Sequence, residues 1–237
     1  MVSDRHPERA AAPRATHVTR RWPLISGLGA LALTLCLGYL VMLRSAAQSA
    51  DGTSLALDRA WMAWIDRFRG PALDVPALVL NYLGVGLTAS LLIPALIVGG
   101  LLLARRHWAA GYYLAATMLT GGAVQVLKHL FGRTRPPDIL VNVDFGSFPS
   151  GHVANAAVMA TIFALLFARI WVRVLGAAYT VAMMLSRTYL GAHWLTDTIG
   201  ALLLGVGIAV VVWAPLAAKL DGERRLRHGR RPDAANP

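Results

Sequence analysis

The chain of 237 residues is 56% hydrophobic and 15% charged, with a mean hydropathy of +0.53, whereas soluble domains average about 25% charged residues. That composition excludes an ordinary soluble globule, and the single cysteine, Cys36, excludes an intrachain disulfide or a cysteine-built metal site. The net charge of +11 does not mark a nucleic-acid binder, because Arg5, Arg9, Arg14, Arg20 and Arg21 precede the first apolar run and Lys219, Arg224, Arg225, Arg227, Arg230 and Arg231 follow the last.

Apolar runs bounded by charge or turn residues divide the chain into six segments, at 23–43, 77–104, 108–127, 153–168, 174–185 and 194–213. The predicted fold is all-α, an integral membrane bundle of six transmembrane helices. A span needs about 20 residues, so the fourth and fifth must borrow flanking residues, with Arg169 and Arg173 snorkelling to the interface. Trp22, Trp108, Trp171, Trp194 and Trp213 fall near predicted ends, where an indole favours the headgroup region. Both tails together with Arg105, Arg106, Arg169 and Arg173 gather on one side, which makes that side and both termini cytoplasmic. The domain reading is a basic tail at 1–22, a membrane domain at 23–216 and a second basic tail at 217–237, both tails disordered. The first segment, followed by Ala46-Ala47-Gln48-Ser49-Ala50, has some features of a signal peptide but is too long for a signal core of about 7 to 15 residues.

Between the first two spans, within residues 51–69, Leu57, Trp61, Trp64, Ile65 and Phe68 recur at helical spacing. Asp58, Arg59, Asp66 and Arg67 form the complementary face, so this stretch reads as an amphipathic helix on the outer surface, either a connector or a rim beside a lipid entrance.

Three polar clusters interrupt the apolar pattern, and the topology puts all of them on the outer side. They are Lys128-His129-Leu130-Phe131-Gly132-Arg133-Thr134-Arg135-Pro136, Pro149-Ser150-Gly151-His152, and Ser186-Arg187 through His193 to Asp197. Lys128, Arg135 and Arg187 supply three cations, and an arginine fork matches phosphoryl oxygens. Ser150 stands where an N-cap belongs and Gly151 permits close backbone approach, so the amides opening this helix can face a phosphate. His193 and Asp197, four apart, share one helix face. The carboxylate on one ring nitrogen would fix the tautomer and leave the other free to attack phosphorus. His152, beside the phosphate cradle, is the candidate proton donor to the leaving group and the activator of water in a second step.

The spacing Lys128, six residues, Arg135-Pro136, then Pro149-Ser150-Gly151-His152, then Ser186-Arg187, five residues, His193, three residues, Asp197 resembles the three-part signature of the type 2 phosphatidic-acid-phosphatase superfamily. All three parts match in order and spacing over residues 128–197. The resemblance implies a helical membrane phosphatase that works without metal or other cofactor. It would hydrolyse lipid phosphates or diphosphates such as phosphatidic acid, phosphatidylglycerol phosphate or polyprenyl diphosphates, with a polyprenyl diphosphate as the first expectation. Soluble vanadium haloperoxidases share the signature but lack such spans.

Taken singly, each of these residues has a plainer reading. Lys128, Arg135 and Arg187 could anchor span ends, His152 could be a satisfied interfacial histidine, and His193 with Asp197 could be a structural pair. Arg133, Asp138 and Asp144 read as loop charges, and His129 has no assignment. A metal hydrolase is disfavoured because three cations would repel a divalent ion. A transporter would carry ionisable groups near the midplane, and a non-catalytic scaffold would have no use for the complete signature.

Overall fold

The computed structural model describes residues 21–47, 54–84 and 86–228, so the amino-terminal tail and the small-residue stretch 46–50 fall wholly or partly outside it. Eight α-helices follow in order: α1 (Arg21–Ala47), α2 (Ala56–Ile65), α3 (Pro71–Leu83), α4 (Ile93–Leu103), α5 (His107–Phe131), α6 (Gly151–Leu166), α7 (Ile170–Tyr189) and α8 (Leu195–His228). No strand occurs among the described residues. The fold is all-helical.

The second apolar run is not one helix. α3 starts on Pro71, where the missing N–H costs nothing, and stops at Gly84; Gly86 takes φ +60°, and a π-helical turn (Thr88–Leu92) leads into α4 at Pro94. Glycine is the poorest helix former after proline, and the break falls where the His152 ring leaves no room for a Cβ on Gly84. α5 ends on Gly132 at φ +51°, whose N–H closes on the Lys128 carbonyl at 2.9 Å.

α7 and α8 overrun their predicted bounds. α7 takes in Arg173 and Arg187, residues that a hydropathy reading excludes from an apolar run. α8 continues past Trp213 and Pro215 to His228, so residues 217–228, expected to be disordered, are helical. Packing accounts for the extension. Glu223 accepts the N–H groups of Trp108 at 2.6 Å and Ala109 at 3.2 Å, capping the start of α5, and Lys219 Nζ sits 3.7 Å from the Trp108 ring centre.

α8 lies at the centre, packed against α1, α5, α6 and α7. Small residues let it approach its neighbours. A Cβ on Gly205 would stand 2.6 Å from the Ala154 carbonyl oxygen, and one on Gly207 3.0 Å from that of Gly27. Inside, Tyr112, Tyr113, Val153, Val158, Ile162 and Met183 are sealed from solvent. The outer faces are apolar as well, with Leu103 88%, Leu87 76% and Ile170 72% exposed, far more than a water-soluble surface carries. Two stretches, Arg21–Arg44 and Leu195–Leu226, are long and apolar enough to cross a bilayer; α3, α4 and α6 are shorter apolar helices.

α2 is helical, but its faces differ from the expected ones. Met62 and Ile65 are buried together with Asp58, which is 0% exposed, while Leu57, Trp64 and Phe68 face outward. Trp61, Trp64 and Phe68 form a cluster of mutually tilted rings with centroid spacings of 5.2 and 4.8 Å. A carboxylate turned inward needs a cation, and the active-site end of the bundle supplies one.

Candidate active site

Two connections and a helix start converge at one end of the bundle: the 132–150 loop between α5 and α6, the short turn 190–194 between α7 and α8, and the start of α6. His193 sits in that turn, 2% exposed. Its Nδ1 lies 2.7 Å from the Ser147 carbonyl oxygen. A carbonyl only accepts, so Nδ1 carries the proton and donates, and Nε2 is left with its lone pair. Nε2 stands 3.4 Å from Arg135 Nη1, which is placed to donate to it. The tautomer is therefore set mainly by a backbone carbonyl. Asp197, expected to do this, lies farther off, with Oδ2 3.6 Å from Nδ1. Burial pushes the His193 imidazole down to about 4 against the opposing pull of Asp197, so the ring is neutral at ordinary pH.

Asp197, fully buried, has nearer partners. Its Oδ2 accepts the Trp194 N–H at 2.9 Å, and its Oδ1 accepts from Arg133 Nη1. Arg133, expected to be a loop charge, is 0% exposed at its side chain and bridges Asp197 to Asp58 of α2, the latter at 2.6 Å. Trp194 is likewise no interfacial anchor. It is 6% exposed and donates its Nε1–H to the Thr134 carbonyl at 2.9 Å, walling the site.

The cations gather as expected, with one unforeseen partner. Lys128 Nζ contacts both oxygens of Asp144, at 2.7 and 2.6 Å, and Arg135 Nη2 contacts Oδ1 at 2.7 Å. Asp144, another expected loop charge, is thus a resident anion across two of the three cations, held from a loop with 59% of its side chain exposed. Burial works to raise its carboxyl, but the Lys128 hydrogen bond and charge outweigh that and hold it below the usual carboxylate range. Arg135 is steadied further by the carbonyls of Ala192 at 2.5 Å and Gly146 at 2.8 Å. Arg187 is buried, donates Nη1 to Asn81 Oδ1 of α3, and keeps a buried Nε without a hydrogen-bond partner.

Ser150 does occupy the N-cap of α6 with extended backbone, yet its hydroxyl makes no capping bond and is buried without a partner. An unpartnered hydroxyl and an unpartnered guanidinium N–H are what a pocket awaiting an acceptor-rich ligand retains. Gly151 lines the same cavity, and a Cβ there would find ordinary contact with Val124 at 3.6 Å. His152 Nε2 lies 3.2 Å from the Asn81 carbonyl oxygen, to which it donates. Asn81, on α3, thus touches both Arg187 and His152; no sequence pattern singled it out. Among the remaining groups, His129 donates Nδ1–H to Gln125 O at 2.8 Å and stacks near Phe145, and the Asp138 carbonyl accepts from Arg69 Nη2 at 3.4 Å. Both are structural contacts. Among the described residues no group of three His, Cys, Asp or Glu is arranged to hold a metal ion.

A cavity of about 820 Å³ joins these groups. Lys128, Asp144, Gly151, His152, Arg187 and His193 form its polar end, and it runs along α5 and α4 past Val124, Gly121, Thr117, Pro94 and Val98 to Leu114. From Lys128 to Leu114 that is about 21 Å of helix at 1.5 Å per residue.

The PAP2 superfamily profile matches residues 109–219, which hold Lys128, Arg135, Ser150, Gly151, His152, Arg187, His193 and Asp197 but neither Asp58 nor Asn81. Over these residues the chain is similar to the PAP2 superfamily. Phosphatidylglycerophosphatase B of Bacillus subtilis is 29% identical over 174 residues, 68% of this chain and 81% of that protein. Lipid A 1-phosphatase of Rhizobium etli is 30% identical over 41% of this chain and 46% of its own length, and a putative undecaprenyl-diphosphatase, YbjG, of Escherichia coli is 34% identical over 40% and 52%. The chain therefore spans about half the length of the latter two relatives. The crystal structure of a transmembrane PAP2 type phosphatidylglycerolphosphate phosphatase from Bacillus subtilis superposes with a TM-score of 0.69 at 26% identity, covering 82% of this chain and 96% of that one. The PAP2 match spans the three-part spacing that the sequence carries.

Proposed function

We propose that this protein is a membrane lipid phosphatase that transfers the phosphoryl group to His193 and then to water. The observation that carries the reading is the His193 geometry: Nδ1–H is tied to a carbonyl, Nε2 stands beside Arg135, and His193 lines the cavity together with Lys128, Gly151 and Arg187. In the first step Nε2 attacks phosphorus, the bond from phosphorus to the leaving oxygen breaks, and His152 gives that oxygen a proton. With Nε2–H on the Asn81 carbonyl, Nδ1 of His152 is the nitrogen available for that transfer. In the second step His152 takes a proton from water, the water oxygen attacks phosphorus, and the phosphorus–nitrogen bond breaks to release phosphate and neutral His193. The three cations and the Ser150 hydroxyl stabilise the equatorial oxygens in both transition states.

α1, the broken α3–α4 pair, α5, α6, α7 and α8 make six crossings, with both termini in the cytoplasm and the site at the outer face. In that arrangement the apolar arm of the cavity lies at membrane depth and takes the lipid tail. The substrate we propose first is a polyprenyl diphosphate, which three cations suit and which the similarity to the undecaprenyl-diphosphatase-like relative supports. Phosphatidylglycerol phosphate is the second reading, favoured by the longer match to the Bacillus subtilis phosphatase. Purified protein in micelles with a chelator present is expected to release phosphate from lipid phosphates, and His193→Ala is expected to release none. Ranking polyprenyl diphosphate, phosphatidylglycerol phosphate, phosphatidic acid and lipid A by kcat/KM decides the substrate. Absence of release from all four by the wild type would overturn the phosphatase reading.

A further inference from the structure

Asp58 and Arg133 lie outside the three-part signature, yet both are sealed in the protein beside the His193 and Asp197 pair. Arg133 reaches His193 Nδ1 by two routes. Its Nη1 holds Asp197, whose other oxygen stands 3.6 Å from Nδ1. Its backbone carbonyl accepts the Ser147 N–H at 2.9 Å, and the Ser147 carbonyl is the one that receives the Nδ1 proton at 2.7 Å. The Arg133 side chain thus holds one group beside the ring proton and its backbone holds the other.

Asp58 fixes that guanidinium from a helix far away in sequence. Its Oδ2 accepts from Arg133 Nη2 at 2.6 Å and from Thr196 Oγ1 at 2.7 Å, while Oδ1 accepts the Thr196 N–H at 2.9 Å in the first turn of α8. Thr196 Oγ1 in turn accepts from Arg133 Nη1 at 2.8 Å. Charge matters as much as position. Arg133 alone would neutralise Asp197. With Asp58 present, two carboxylates share one guanidinium, and the buried set carries a net charge of about −1 where exposed pairs would be screened. An imidazole that attacks phosphorus becomes cationic, and this surplus negative charge meets it at the Nδ1 side while Arg135 and Arg187 face the phosphoryl side.

We propose that Asp58 of α2 and Arg133 are positioning residues for the nucleophile, orienting Asp197 and Ser147 and leaving Asp197 enough charge to stabilise the phosphohistidine. This rests on the phosphatase reading with His193 as nucleophile. It makes α2, a helix outside the apolar runs, an essential part of the site.

The test uses the full-length protein in micelles, with lipid phosphate hydrolysis resolved into kcat and KM. Asp58→Asn keeps the shape and removes the charge, so kcat is expected to fall about tenfold or more with KM within about threefold. Asp58→Asn combined with Arg133→Gln is expected to lose less kcat than the product of the losses of the two single variants, because both act through Asp197, whereas two independent structural anchors would give losses that multiply. Arg133→Lys keeps the charge but cannot fork to both carboxylates, and is expected to lower kcat with KM unchanged. It carries the test if Asp58→Asn does not fold. Wild-type kcat in folded Asp58→Asn or Arg133→Lys, or single losses that multiply in the double variant, overturns the proposal. Wild type and His193→Ala run alongside, and full activity in His193→Ala would instead defeat the phosphatase reading on which it rests.

Discussion

At the scale of single residues, the acid dependence of the reaction follows from where His193 sits. In the proposed reaction the attacking His193 ring must be neutral, and burial holds it at about 4 rather than the ordinary 6.5. A depressed value means that protons bind only well below neutrality, so the loss of kcat/KM on the acid side is expected only through about 4. Asp144 is also held below the ordinary carboxylate range and so keeps its charge above that pH. An acid limb centred near 6.5 would contradict the burial of the ring. Asp144 itself predicts a second outcome. A ligand phosphate must displace its carboxylate from Lys128 and Arg135, so Asp144→Asn is expected to strengthen competitive inhibition by inorganic phosphate about three- to tenfold. Weaker inhibition would mean that Asp144 arranges the cations and does not compete for them. The spacing of the signature residues was legible along the chain because chemistry fixes residue type. The identity of their buried partners was not. Arg133 looks like one more charge in a basic run, and Ser147 enters only through its carbonyl, which every residue has.

At the scale of elements, the apolar runs located the helices but misjudged their ends, because hydropathy cannot tell a lipid-facing arginine from one turned into a site. Arg187 belongs to the last turn of α7 and is buried there, so the helix outlasts its apolar stretch. The expected polar face of α2 failed in the same way: Asp58 is polar and inward, paid for by a cation 75 residues distant. The break after α3 places His152, and it yields a prediction. Gly84→Ala puts a methyl into the His152 ring, so kcat is expected to fall about tenfold or more, by the cost of small misplacements of a catalytic group, with the melting temperature little changed. Unaltered kcat would show that the ring tolerates displacement. α8 offers a stability counterpart. Glu223 caps α5 from another helix, and Glu223→Ala is expected to destabilise the protein by about 0.5 to 2 kcal/mol, read as a lower melting temperature at unchanged KM.

At the scale of the whole molecule, the account requires that the polar end of the cavity and the chain termini lie on opposite sides of a bilayer. In a Cys36→Ser background, Leu140→Cys in the α5–α6 loop is expected to react with a membrane-impermeant thiol reagent on intact spheroplasts, and Ala234→Cys only after permeabilisation. The reverse pattern would turn the site to the cytoplasm and remove the reasoning for an outer-face substrate. Composition and charge made the membrane setting readable before any coordinates. The central place of α8 was not readable, since it depends on Gly205 and Gly207 meeting α6 and α1 closely, and a glycine in an apolar run gives no sign of what it faces.

The most direct test of the central claim is to trap the covalent intermediate. Protein, wild type or His152→Ala, mixed with a labelled lipid phosphate, quenched in alkali and digested, is expected to carry acid-labile, base-stable phosphate on His193. Label on another residue, or wild-type phosphate release without label on His193 in either protein, would contradict the account.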